Sequence, residues 1–159
     1  IDSKDPNYIM KTLNKIIKKV DIGRLRMSLN LAHFQNGSMK LSSAAMPPIY
    51  HFEKKKNKVD EIQISNLPLG GLMTEDFTVL DKKFSKGDVL VMISDGLPEA
   101  PNKKGDLLDY EAVKNCVEKN SLKSAEEIKD ELVKLSDNWL QGIHNPDDIT
   151  IVVCKKLAK

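Results

Sequence analysis

Cysteine is scarce in this chain, and where it occurs it forms no metal-binding spacing. Cys116 and Cys154 are the only two. One falls in a helical pattern and the other in a strand pattern, which predicts two reduced core thiols in a cytoplasmic protein rather than a disulfide framework. The three histidines, His33, His51 and His144, share no ligand spacing either, which argues against a zinc site. No apolar run approaches the roughly 18 residues that cross a bilayer, and no signal peptide is legible. Neither sign of charge predominates: 25 Lys and Arg against 23 Asp and Glu leave +2. Net charge therefore points to no nucleic acid partner and no direct membrane contact. There is no phosphate-cradling loop, no nucleophile elbow and no serine in evident company of His and Asp, so covalent catalysis has no support. Internal repeats, low-complexity tracts and interdomain linkers are lacking too. What remains, 159 residues with 40% apolar and 30% charged side chains, is expected to form one domain, 1–159, with a real core.

Two stretches stand out. Gly87-Asp88-Val89-Leu90-Val91-Met92-Ile93-Ser94-Asp95-Gly96 is a buried-looking strand that ends in Asp95, with Gly96 turning the chain behind it. Asn145-Pro146-Asp147-Asp148-Ile149-Thr150-Ile151-Val152-Val153 puts Asp147 just before a second strand. Each alone is ordinary, since Asp and Gly favour turns and an Asp pair before a strand is usually solvated. If the strands lie antiparallel as neighbours, the end of one sits beside the start of the other. Asp95 and Asp147 would then meet at one sheet edge and offer a half-site for a hard divalent cation. Strand alternation should turn Asp148 away from Asp147, with Thr150 on the face of Asp148 and able to bond it.

From Leu67 onward the chain resembles the metal-dependent Ser/Thr protein phosphatases (the PPM family) in their bacterial SpoIIE/RsbU-like branch. The matching residues are Leu69-Gly70-Gly71, Lys86-Gly87-Asp88, Ser94-Asp95-Gly96-Leu97-Pro98-Glu99-Ala100 and Pro146-Asp147-Asp148-Ile149-Thr150, in the family's order. Upstream, Ser43-Ala44-Ala45-Met46-Pro47-Pro48 resembles the family's Ala-Gly-His-Pro-Pro element, with Ala45 and Met46 replacing Gly and His. Leu108-Asp109 stands where the family often has an apolar residue and Gly. The resemblance implies an α+β fold, an antiparallel β-sandwich flanked by helices, here incomplete at its N-terminus.

It also implies hydrolysis of phosphoserine or phosphothreonine by metal-activated water. Asp95 and Asp147 would be ligands in a two-metal Mn²⁺ or Mg²⁺ site, supported by Gly96, Asp148 and Thr150, with Glu99 close by. The implied partner is a phosphorylated regulatory protein, in similar bacterial domains an anti-anti-sigma (STAS-type) protein. A sensor domain is expected upstream in a longer parent, with this domain cytoplasmic or at the cytoplasmic end of a membrane sensor. Nothing between Ile1 and Val20 matches the family's Asp-x-x-Gly-His-Gly motif, which supplies further ligands. That departure supports a rival: a degenerate, non-catalytic module that binds a partner.

In chain order, Asp5-Pro6 opens a helix whose stripe is Ile9, Leu13, Ile16 and Val20, predicted to pack on a core. Strands are expected over Arg24 to Phe34 and Met39 to Ala44, around an Asn36-Gly37 hairpin. Pro47-Pro48 should interrupt pairing. Ile49 to Phe52 and Val59 to Ile64 should flank a solvated lysine loop, Lys54 to Lys58. Leu67 to Gly71 is expected as a loop and Asp76 to Leu80 as a strand. Asp109 should cap a helix bearing Val113, Cys116 and Val117. Ser124-Ala125-Glu126-Glu127 is a capping box opening a helix with Ile128, Leu132, Leu135 and Trp139 on one face.

Overall fold

The computed structural model describes residues 5–20, 25–71 and 76–157; Arg24, the expected start of the first strand, lies outside them. The chain divides into two compact units, 1–46 with 64–84, and 47–63 with 85–159. Each is built on one antiparallel sheet, so the α+β class with two antiparallel sheets and accompanying helices is as expected.

In the first unit, helix α1 (Pro6–Val20) accompanies a sheet of β1 (Leu29–Gln35), β2 (Ser38–Ala44) and β5 (Leu80–Lys83), in the order β1-β2-β5. The β1–β2 turn places Asn36 and Gly37 at φ 47° and 81°, the pair of positive values that suits a tight hairpin. The buried face of α1 differs from the predicted stripe. Ile9 and Leu13 are half-buried, but Ile16 and Val20 are 48% and 65% exposed, while Pro6, Met10 and Asn14 are buried. The helix is rotated because a polar side chain has a partner inside: Asn14 Oδ1 accepts from the Gly70 amide at 2.7 Å. Gly70 (φ +81°) lies so close to α1 that a Cβ there would meet Ile17 Cγ2 at 2.5 Å. Met10, Ala44, Leu69 and Phe77 form the core of this unit.

The strand expected over Asp76 to Leu80 begins only at Leu80. Side-chain amides occupy the earlier backbone: Phe77 N donates to Asn7 Oδ1 at 3.0 Å and Thr78 N to Asn66 Oδ1 at 3.0 Å. Residues 25–28 likewise form no strand, apart from a bridge between Met27 and Leu69.

The second unit contains β3 (Ile49–Glu53), β4 (Lys58–Ile62), β6 (Val89–Ile93) and β7 (Ile151–Lys155), in the order β4-β3-β6-β7, with helices α2 (Tyr110–Asn120) and α3 (Ala125–Leu140). Tyr50, Phe52, Val91 and Ile93 from the sheet pack with Val113 and Val117 of α2 and Ile128 and Leu132 of α3. Both helix starts follow the sequence: Asp109 accepts from Ala112 N, and Ser124 and Glu127 form the reciprocal capping box. The lysine loop is an exposed turn, as expected. Cys116 and Cys154 are free but half-buried rather than core residues, and burial raises both thiol pKa values.

Candidate functional site

The site starts from β6 and β7, which pair antiparallel with Ile93 opposite Ile151. The apolar run of β6 can be buried on both faces, which fixes the strand and its polar C-terminal end. β7 begins later than the sequence suggests, at Ile151, and residues 147–150 lie outside it. Ser94 explains the difference. Its amide donates to Thr150 O at 3.0 Å, its hydroxyl accepts from Thr150 N at 2.9 Å, and that hydroxyl also donates to Asp148 O at 3.1 Å. One serine side chain thus takes over from the ladder and bends the incoming strand around the end of β6.

Asp95 is the first residue of the turn over residues 95–99, closed by Glu99 N donating to Asp95 O at 3.0 Å. Gly96 does more than turn the chain. It is buried, and a Cβ there would run into the Asp148 carbonyl and lie 3.4 Å from the carbonyl carbon of Asp147. Asn145 Nδ2 donates to Gly96 O at 2.9 Å. The backbones that carry Asp95 and Asp147 are therefore in direct contact, and both side chains are exposed. Asp147 Oδ1 accepts from Asp148 N at 2.8 Å, a local turn rather than strand alternation. The bond expected between Thr150 and Asp148 is replaced by the Ser94 bridge. Asp148 and Thr150 stay exposed beside Asp147.

Neighbouring groups complete the edge. Tyr110, the first residue of α2, holds its hydroxyl 3.5 Å from Glu99 Oε1. Burial raises the phenol's pKa, and the charges of Glu99 and Asp95 raise it further, so it stays a proton donor through neutral pH. Tyr50 OH donates to Tyr110 O at 3.1 Å, and Asp109 N to Pro98 O at 2.8 Å, which fasten α2 to the turn. Ser94 and Asn145 lie inside the two stretches that the sequence singles out, but their bonding roles, like that of Tyr110, were not legible, because they depend on which groups come opposite them. His144 is exposed in the loop before Asp147. Among the described residues, no three His, Cys, Asp or Glu side chains cluster to hold a metal ion. A cavity of about 300 Å³ between α3 and β7 is lined by Val133, Ser136, Ile149 and Ile151, among others, and includes neither Asp95 nor Asp147.

An α+β architecture of two antiparallel sheets with accompanying helices is that of solved PP2C phosphatase domains. The chain matches the family described as Stage II sporulation protein E (SpoIIE) over residues 2–156, and it belongs to that family. Among curated proteins it is 26% identical to phosphoserine phosphatase RsbU of Bacillus subtilis, over 95% of this chain and 45% of RsbU. It thus spans less than half of that relative. Among solved structures it resembles the PP2C phosphatase domain, with a fragment of the regulatory domain, of SpoIIE from Bacillus subtilis. That match has a TM-score of 0.74 and 29% identity, and covers 94% of this chain and 43% of that one. It also resembles the manganese-presoaked SpoIIE phosphatase domain from the same organism, with a TM-score of 0.67 and 23% identity, over 98% of this chain and 68% of that one.

Proposed function

We propose that residues 1–159 form one SpoIIE-type domain that hydrolyses phosphoserine or phosphothreonine on a regulatory protein, with Mn²⁺ or Mg²⁺ as cofactor. The observation that carries this reading is the β6–β7 junction, which brings the backbones of Asp95 and Asp147 into contact at an exposed edge. Two short carboxylates on backbones fixed by Ser94, Gly96 and Asn145 fit a hard ion that takes oxygen ligands and keeps several waters. Asp95 and Asp147 would hold it, and the Asp148 amide, donating to Asp147 Oδ1, would help orient the Asp147 carboxylate. When bound, such ions lower the pKa of water and neutralise charge on phosphoryl oxygens.

The chain's own residues do the rest. Gly96 and Asn145 hold the backbones that carry the carboxylates together, and the Ser94 bridge fixes the backbone of Asp148 and Thr150 beside them. The Tyr110 phenol, protonated, lies next to Glu99 as a hydrogen-bond donor at the rim. An edge that is open rather than enclosed suits a phosphoresidue carried on a protein. The name of RsbU, a phosphoserine phosphatase, and the manganese soak of the SpoIIE domain support the same reading. The substrate class that the SpoIIE/RsbU resemblance implies is an anti-anti-sigma protein of the STAS type. The setting is cytoplasmic, under a sensor domain in the parent protein. No helix among the described residues is long and apolar enough to cross a membrane.

One observation favours a second reading, a non-catalytic partner-binding module: the described residues supply two candidate ligands and no third. Phosphate release from a phosphoserine peptide separates the two. Hydrolysis that needs Mn²⁺, stops with a chelator and drops to background in Asp95→Asn and Asp147→Asn supports the phosphatase. A folded wild-type chain that binds Mn²⁺ but releases no phosphate supports the module.

A further inference from the structure

The net charge of +2 hides an uneven distribution. At the end of β6 and β7 opposite Asp95 and Asp147, four segments converge. Asp88, buried at the start of β6, accepts from Lys54 N of the β3–β4 turn at 2.9 Å and from Ser85 N at 2.7 Å. Gly87 N donates to Lys156 O at 2.8 Å, and the Lys54 side chain lies across Gly87. The Lys155 ammonium donates to Ser121 O at 2.8 Å and to Lys123 O, both in the turn between α2 and α3.

These contacts gather lysines from all four segments at one end of the sheet, where the nearby acids already have partners: Asp88 accepts two backbone amides and Glu127 is bonded to Ser124. Glu53 is taken by Lys56 at 2.7 Å and Glu131 by Lys123 at 3.2 Å. Among the described residues, the exposed Lys54, Lys55 and Lys86 reach no carboxylate. The Lys155 pKa is lowered by burial first and by the charge of Lys54 second, against an opposing effect of Glu127. Beside these lysines, Leu122 and Leu157 are 71% and 76% exposed.

We propose that this lysine-rich end of the sheet is a docking surface for an anionic lipid bilayer. Lysines on flexible stems attract a fluid layer of negative headgroups, and isolated exposed leucines can enter its boundary. Protein interfaces are instead anchored by aromatics and Arg, and discrete acidic groups are gripped by the guanidinium fork. Residues 53–58, 85–88, 121–123 and 155–157 contain no Arg and no aromatic residue. The contact lies on the membrane and does not span it. Five strand residues separate this end from Asp95 and Asp147, on the order of 15 Å, so a docked domain keeps that edge open to solution. The inference does not rest on the phosphatase reading.

Co-sedimentation of the full chain with vesicles of phosphatidylcholine, alone or with a third phosphatidylglycerol, tests it. We expect binding to the anionic vesicles only, weakened at least tenfold between about 0.05 and 0.5 M salt as screening takes hold. The triple variant Lys54→Gln, Lys55→Gln, Lys86→Gln should bind at least tenfold more weakly. Leu122→Ser with Leu157→Ser should lose several-fold, and Asp95→Ala should bind like wild type. Equal sedimentation with neutral and anionic vesicles, or unchanged binding by the lysine variant, overturns the proposal. So does wild-type binding to poly-glutamate or DNA at least as tight as to anionic vesicles with no effect of the leucine changes, which would make the surface one for an acidic macromolecule.

Discussion

A methyl group on Gly96 has nowhere to go except into the Asp148 carbonyl, so Gly96→Ala must push the Asp147 backbone away from Asp95. We expect a loss of about 1–3 kcal/mol in urea unfolding, together with a fall in Mn²⁺ affinity far larger than a surface substitution produces. Ala45 presents the opposite case. It stands where the resembling family has Gly, and its φ of 51° is left-handed, a region that costs an L-residue roughly 1–2 kcal/mol. Part of that is offset because Ala restricts the unfolded chain. Ala45→Gly should therefore stabilise by about 0.5 kcal/mol, seen as a higher urea midpoint with an unchanged slope; a lower midpoint would refute the argument. Asp109, another substitution for a family Gly, also has positive φ, 73°, but its carboxylate caps α2 in return. Both replacements were visible in the sequence. Their backbone meaning was not, because φ is set by the turn and not by the residue found there.

The helix starts were legible because capping is a local, four-residue matter: Asp109 and Ser124 lie where their spacing put them. Glu127 in the Ser124 box has its pKa lowered by the Ser124 hydroxyl and then by the Ser124 amide. A depressed carboxylate stabilises above its unfolded pKa and loses that contribution as pH falls through its folded pKa. Thermal stability should thus decline as pH drops below about 4.5, the ordinary glutamate range, and Glu127→Gln should flatten that part of the profile. An identical acid limb in the variant would remove the box from the account. Strand and face positions were harder. The start of β5 depended on Asn7 and Asn66 answering the Phe77 and Thr78 amides, and the rotation of α1 depended on Asn14 finding Gly70. These are pairings between residues distant in sequence, which periodicity does not register. The β6–β7 pairing was legible as a condition: an acid just after one apolar run and an acid just before the other meet only if the two strands are antiparallel neighbours. The late start of β7 was not foreseen, because the Ser94 hydroxyl bonds Thr150 and Asp148, more than fifty residues away.

Across the second unit the sheet is electrically lopsided: carboxylates crowd the end where β6 finishes, and lysines crowd the end where it begins. Net charge averages this away, which is why composition gave no hint of it. The two ends should act independently, so neutralising Lys54, Lys55 and Lys86 should leave divalent ion binding intact. At the acidic end, Asp95 and Asp147 should belong to one metal site. Calorimetric titration of Mn²⁺ into the chain, with Asp95→Ala and Asp147→Ala alongside, tests it most directly. The wild type should bind saturably, and binding should disappear in both variants while each remains folded. Binding that survives either substitution, or a folded wild type that takes up no Mn²⁺, would contradict it.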